Sequence, residues 1–273
     1  MSKKNREGQR SARERLHEQR ENEKARERRK RTMAVAAGVV VVLAVAGGVG
    51  LLVKQRDSGG GDDNKKKPLA TPKGAVGAKK TVIPVGASDA PSTLTVYEDF
   101  RCPACAQFES GFRTVIRKLE DEGALRTEYH LATLIDGNMS GSGSLKAANA
   151  AACSQQAGKF RDYHDVLYSN QPEEADDKFA GSAHLLDLAD KVGGLRTDAF
   201  DKCVEDGTYE TWVEKSNKEF QDSGNQGTPA VLLNGKNIYN DQSNPLTPAK
   251  LKKLVEDANR GKKPGSAPPL AAS

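Results

Sequence analysis

The chain reads as an α/β domain whose sheet is split by a helical insertion, carried behind one apolar segment long enough to span a membrane. Three observations predict this. Residues 33–53 (MAVAAGVVVVLAVAGGVGLLV) form a run of 21 residues without a charge. Strand patterns gather in two places, 93–134 and 229–239, with mainly helical periodicity between them. The strand pattern TLTVYEDF (93–100) runs directly into Cys102-Pro103-Ala104-Cys105, and helical spacing begins at once after it.

The first 32 residues hold thirteen Lys/Arg against six Glu, a surplus of seven, while the whole chain carries only +5. The remainder is therefore about two units negative, which argues against a nucleic-acid-binding folded domain. The basic run Arg26–Arg31 reads as solvated or lipid-proximal. A helix of about 20 apolar residues crosses the hydrocarbon core, and positive residues before it place that end in the cytoplasm. Everything after Val53 then lies outside. Ala44-Val45-Ala46 resembles a signal-peptide cleavage site. The 32-residue polar leader and the length of the apolar run favour an uncleaved signal anchor instead. Either reading exports the rest of the chain to a compartment that permits disulfides, and four cysteines suggest two pairs.

Residues 54–80, rich in Gly, Lys, Pro and Asp, read as a flexible tether, and 261–273 as a similar tail. The stretch 81–260 is long enough for one sizeable core. After the cysteine motif, Phe108, Phe112, Val115, Ile116 and Leu119 recur at helical spacing until Gly123. ALRTEYHLATL (124–134) reads as a second strand. The Gly/Ser-rich DGNMSGSGS (136–144) reads as a loop opening a helical insertion of about 140–215. Within it LKAANAAACSQQAG, KFRDYHDVLYSNQP, HLLDLADKVGG and AFDKCVEDGTYETWVEKSNKEFQDSG look helical. Strand character returns at PAVLLNG, where Asn234-Gly235 signals a hairpin. Thr247 and Pro248 open a last helix with Leu251, Leu254, Val255 and Ala258 as its apolar face.

The C-x-x-C can hold a metal, form a structural disulfide, or exchange electrons. A structural zinc site needs four ligands, commonly two close pairs. Cys153 and Cys203 stand 50 residues apart, and His17, His130, His164 and His184 show no H-x₃₋₅-H spacing, so metal is disfavoured. A strand-to-helix junction at the motif puts Cys102 at a helix N-terminus, where unpaired N–H groups favour a thiolate. Cys105, one turn on, is covered by the helix. Pro103 suits the first turn, where its missing donor is no loss. One accessible attacking sulfur and one resolving sulfur are what thiol–disulfide exchange requires.

With Phe100, the C-P-A-C motif, Lys159–Asp165 (KFRDYHD), Asn170-Gln171-Pro172 and Gly227-Thr228-Pro229-Ala230 in that order, the chain resembles the DsbA-like disulfide oxidoreductases of bacterial envelopes. These belong to the thioredoxin superfamily. The likeness covers roughly 81–260, insertion included. It implies a thioredoxin fold, Cys102 and Cys105 as the catalytic pair, and a cis bond at Pro229 beside them. The Thr228 backbone is then expected to pair with an extended substrate. Ala104 stands where the well-known oxidants of the family carry a thiolate-stabilising His. Glu98 and Asp99 are candidates for handling the Cys105 proton, although their spacing differs from the family's usual buried Glu; the alternative is that both are simply solvated. Similar envelope homologues carry a second bridge, which points to Cys153–Cys203 as a staple of the insertion rather than a redox relay. Closing such a loop stabilises by about 4 kcal/mol in the chain-entropy model.

The resemblance implies a thiol–disulfide oxidoreductase that forms disulfides in exported proteins, and with no dimerisation region visible in the sequence a monomeric catalytic domain is expected. It needs no metal or organic cofactor and is reoxidised by a quinone-linked membrane partner. The rival readings are an envelope reductase or isomerase, for instance in cytochrome maturation, and an anchored binding protein on the same scaffold.

Overall fold

The computed structural model describes residues 69–267 apart from residue 242. The basic leader 1–32, the apolar run 33–53, linker residues 54–68 and tail residues 268–273 lie outside the described residues. Among the described residues no helix is long and apolar enough to cross a membrane.

Strands β1 (Ile83–Val85), β2 (Thr93–Glu98), β3 (Arg126–Leu131), β4 (Ala230–Leu233) and β5 (Lys236–Asn237) form one sheet in the order β1-β3-β2-β4-β5. In β2 the burial alternates, with Leu94, Val96 and Glu98 wholly inside. β2 pairs in parallel with β3, Thr93 opposite Arg126 and Glu98 opposite Leu131. A parallel pair needs a crossover, and α1 (Pro103–Asp121) supplies it. Its buried residues Cys105, Phe108, Phe112, Ile116 and Leu119 follow the helical repeat. Gly123 ends the turn in the left-handed region (φ 68°), and a Cβ there would meet the Gly265 carbonyl oxygen at 2.1 Å. β4 runs antiparallel to β2 and turns into β5 through Asn234 and Gly235, both at positive φ (49° and 82°), the conformation a tight I′ hairpin requires. α8 (Pro248–Ala258), capped by the Thr247 hydroxyl accepting from Lys250 N at 3.2 Å, packs along α1.

Between β3 and β4 the chain is helical: α2 (Leu134–Met139), α3 (Gly143–Gln156), α4 (Phe160–Ser169), α5 (Ser182–Ala189), α6 (Asp198–Glu205) and α7 (Glu210–Asp222). α3 sits at the centre of this layer, in contact with α4, α6 and α7. Its alanines Ala147, Ala148, Ala150, Ala151 and Ala152 are buried, so that neighbouring helices approach it closely. Asn149, buried among them, accepts from Tyr209 N at 2.7 Å and so ties α3 to the start of α7. Cys153 on α3 and Cys203 on α6 are bonded, with Cα atoms 6.0 Å apart.

Three local features differ from the sequence pattern. The helical layer begins with α2 at Leu134, the last residue of the stretch read as strand, and α2 runs on into the stretch read as loop. The long helical segment 199–224 breaks into α6 and α7 at Gly207, whose φ of 59° a helix cannot continue. β1 has only three residues, with Pro84 among them; as an edge strand it tolerates the missing donor. The chain also makes domain contacts before residue 81. Lys73 exchanges hydrogen bonds with Gln155 and Gln156, and Val76 bridges Val82.

Candidate active site

The end of β2 and the start of α1 place the cysteine motif. Cys102 is the N-cap of α1, with extended backbone (φ −75°, ψ 118°) and Pro103 in the first turn. Its carbonyl accepts from Cys105 N at 3.1 Å and Ala106 N at 3.2 Å. Cys105 therefore turns inward and is fully buried, whereas Pro103 and Ala104 face solvent. Both sulfurs are free thiols.

Buried contacts from the insertion brace this junction. Asp99 accepts from Arg101 N at 2.8 Å with one oxygen and from Ile135 N at 2.9 Å with the other. Arg101, 3 % exposed, meets Asp136 at 2.7 Å and Asp177 at 3.1 Å and donates to the Ser140 and Glu174 carbonyls. Gln171 spans the loop itself, donating to Phe100 O at 2.8 Å and Cys102 O at 3.0 Å. The segment Asn170-Gln171-Pro172 thereby acquires a physical role, holding the residues on either side of the junction.

From the opposite side comes the 228–229 loop, whose Thr228–Pro229 bond is cis. The Cys102 thiol donates to the Thr228 carbonyl at 3.3 Å. Beside it a groove of about 470 Å³ runs between Ala104, the 224–230 loop, Asn237, Tyr239 and Asn240. The Tyr239 ring, which lines the groove, packs edge-on against Phe108, centroids 5.3 Å apart.

The two thiols are electrostatically unequal. A hydrogen bond from the Cys105 thiol lowers the Cys102 pKa to about 6 against the opposing effect of burial. The Thr228 side chain and the backbone N–H groups of Cys105 and Ala104 at the helix N-terminus add to the lowering. Burial, then the hydrogen bond it gives to Cys102 and the negative charge there, push Cys105 well above the ordinary thiol range. Near neutral pH the pair is a thiolate beside a thiol, the asymmetry needed for exchange.

Glu98 and Asp99, each a candidate proton handler or a solvated group on the sequence, are both buried. They differ in what they touch. The Asp99 oxygens are both taken by backbone donors, and burial lifts its pKa to about 7. Glu98 meets His164 Nε2 at 2.8 Å and keeps one oxygen free of protein partners. His164 is buried core that also carries this polar contact. Glu98, Glu109 and His164 offer ligand atoms within 4.8 Å of one another. Two ligands on one tetrahedral zinc stand about 3.4 Å apart given bond lengths near 2.0–2.2 Å. The 2.8 Å Glu98–His164 approach is that of a hydrogen-bonded pair instead.

A protein-family model described as thioredoxin matches residues 78–257. The chain belongs to the thioredoxin family. Within it, the chain is similar to the disulfide bond formation protein D of Bacillus subtilis (strain 168), at 27% identity over 159 residues, covering 57% of this chain and 69% of the relative. Among solved structures, the reduced disulfide bond oxidoreductase DsbG of Mycobacterium tuberculosis aligns with a TM-score of 0.56 and 28% identity, covering 70% of this chain and 92% of the other. Oxidised DsbA of the same organism aligns at 0.55 and 28%, covering 70% and 97%. This thioredoxin-family chain is thus DsbA-like, a thiol–disulfide oxidoreductase.

Proposed function

We propose that the protein works as an oxidant, transferring the Cys102–Cys105 disulfide to reduced exported proteins. A substrate thiolate attacks Cys102 Sγ, the S–S bond breaks, and Cys105 leaves and takes up a proton. A second substrate thiolate then attacks the substrate sulfur of the mixed disulfide and releases Cys102 as thiolate. The substrate lies extended in the groove against the Thr228 backbone, beside Pro229, and Glu98 serves the Cys105 proton while Asp99 holds the loop. Cys153–Cys203 is structural, stapling α3 to α6.

What supports the direction is the place of Cys102 at the N-terminus of α1, where the helix N–H groups and the Cys105 thiol hold its pKa down at about 6. At pH 7 a pKa near 6 holds the thiolate by about 1.4 kcal/mol, worth about 30 mV toward oxidation. Stabilising the reduced enzyme makes its disulfide the better oxidant. Residues 33–53 anchor the chain as a single pass, with the N-terminus cytoplasmic and the catalytic domain outside. A quinone-linked membrane partner reoxidises it.

Ala104, lacking an imidazole, favours a second reading as an envelope reductase or isomerase, because the thiolate loses one source of stabilisation. The discriminating experiment is oxidative refolding of a reduced secretory protein by the full-length chain in its oxidised form. Stoichiometric disulfide transfer that Cys102→Ser abolishes supports the oxidant. Absence of transfer, with efficient reduction of a substrate disulfide by the reduced chain, refutes it.

A further inference from the structure

Far from the sulfurs, one end of the domain holds a cavity of about 460 Å³, inside the size range of small-molecule sites. Its walls come from β1 and the two residues after it, the ends of α1 and α3, the start of α4, and residues 265–267. Glu120, in this wall, is 18 residues past Cys102, about 27 Å along the axis of α1. The sulfur chemistry above uses none of these groups.

Two buried side chains give the cavity its character. Gln155 is 2 % exposed. Its Nε2 donates to Lys73 O at 2.9 Å, and among the described residues nothing donates to its Oε1. Glu120 is 5 % exposed. One of its oxygens accepts from the Thr127 hydroxyl at 2.5 Å, while the other meets Arg161 Nε at 3.4 Å without a hydrogen bond. Arg161 donates instead to Asp121 at 2.6 Å and to Arg117 O at 3.2 Å. Among the described residues it is the one cation lining the cavity, and protein acceptors already hold it. Pro84, Val85 and Phe160 supply an apolar side. The wall has acceptors to spare and a buried carboxylate short of donors.

That imbalance selects the ligand. Among the described residues no trio of His, Cys, Asp or Glu ligand atoms converges on this cavity, so it does not suit a metal ion. An anion would face Glu120 and Asp121, and the first turn of α4 already carries Asp162. We propose that the cavity binds a small organic ammonium ion. Its N–H groups are donated to the Glu120 carboxylate and Gln155 Oε1, and its apolar body rests against Pro84, Val85 and Phe160. The site stands apart from the oxidoreductase reading and does not depend on it.

The charges around Glu120 make such binding depend on pH. Facing it are Thr127 and Tyr129 from β3, Arg161 and His164 from α4, and Asp121 on its own helix. The end of β1 meets it at Gly86 and brings no charge. Glu109, Arg113, Arg117 and Asp165 lie beyond it, around a second and smaller cavity. Burial raises Glu120 to about 7, whereas the hydrogen bond from Arg161 holds Asp121 below its ordinary range. A bound ammonium ion favours the charged form of Glu120. Binding therefore strengthens as pH rises, by about tenfold from about pH 6 to about pH 8 if only the carboxylate form binds.

The test titrates phenethylammonium into the full-length protein by calorimetry, with hydrocinnamate as the anionic control and phenethyl alcohol as the neutral one. Saturable one-to-one binding of the ammonium is expected with a Kd below about 10 mM, and both controls are expected to bind at least about tenfold more weakly. Glu120→Gln is expected to weaken binding at least about tenfold and to abolish its pH dependence. Disulfide exchange by that variant is expected to stay within about twofold of wild type, given the distance to Cys102. Asp121→Asn, at the surface, is expected to weaken binding about two- to fivefold. It answers the question should Glu120→Gln fail to fold. No saturation up to about 10 mM, equal binding of hydrocinnamate, or binding that the variants leave unchanged overturns the site.

Discussion

At the scale of single residues, Cys102 carries two opposed influences, burial against hydrogen bonds to its sulfur, and the hydrogen bonds win. The reduced protein is expected to react with iodoacetamide through Cys102 with a half-maximal rate near pH 6. A midpoint near the ordinary thiol value of about 8.5 contradicts the assigned hydrogen bonding. The position of Cys102 was legible in the sequence, because a proline after a strand and before a helical repeat fixes the N-cap. Glu109 was legible in principle, since it falls on the stripe containing Cys105, Phe108 and Phe112, where a charge is out of place. His164 was not, because its partner Glu98 is 66 residues away on another element.

At the scale of elements, the active-site loop is held from the insertion rather than from within the sheet. Gln171 supplies two hydrogen bonds to the backbone on either side of Arg101. Hydrogen bonds of this kind are worth about 0.5–1.5 kcal/mol each, with more lost when buried carbonyls are orphaned. Gln171→Ala is therefore expected to destabilise the protein by about 1–3 kcal/mol and to slow disulfide exchange, as read by thermal unfolding and a dithiol oxidation assay. An unchanged melting temperature and rate would remove the clamp from the account. Long periodic elements and the Asn234-Gly235 turn were readable in advance. The short α2 and the three-residue β1 were not, since tertiary packing alone makes them worth forming.

For the whole molecule, the buried acids set how stability depends on pH. Burial raises Asp99 and Glu120 to about 7. A carboxyl whose folded pKa lies above its unfolded value stabilises fully below the unfolded pKa, near 4, and loses that contribution as pH rises through about 7. Cys102 has the opposite sign in the reduced protein, its contribution being lost as pH falls through about 6. The oxidised protein, free of the Cys102 term, is expected to lose several degrees of melting temperature between about pH 5 and pH 8. A melting temperature that rises over that range contradicts the buried-acid assignment.

The direction in which this DsbA-like site moves electrons is measured most directly by the Cys102–Cys105 reduction potential. Thioredoxin-like reductants lie near −270 mV and the strongest oxidants of the family near −120 mV. With the Cys102 thiolate stabilised but no imidazole at Ala104, the protein is expected between these, more positive than about −200 mV in glutathione equilibria at pH 7. A value at or below about −270 mV contradicts an oxidising role.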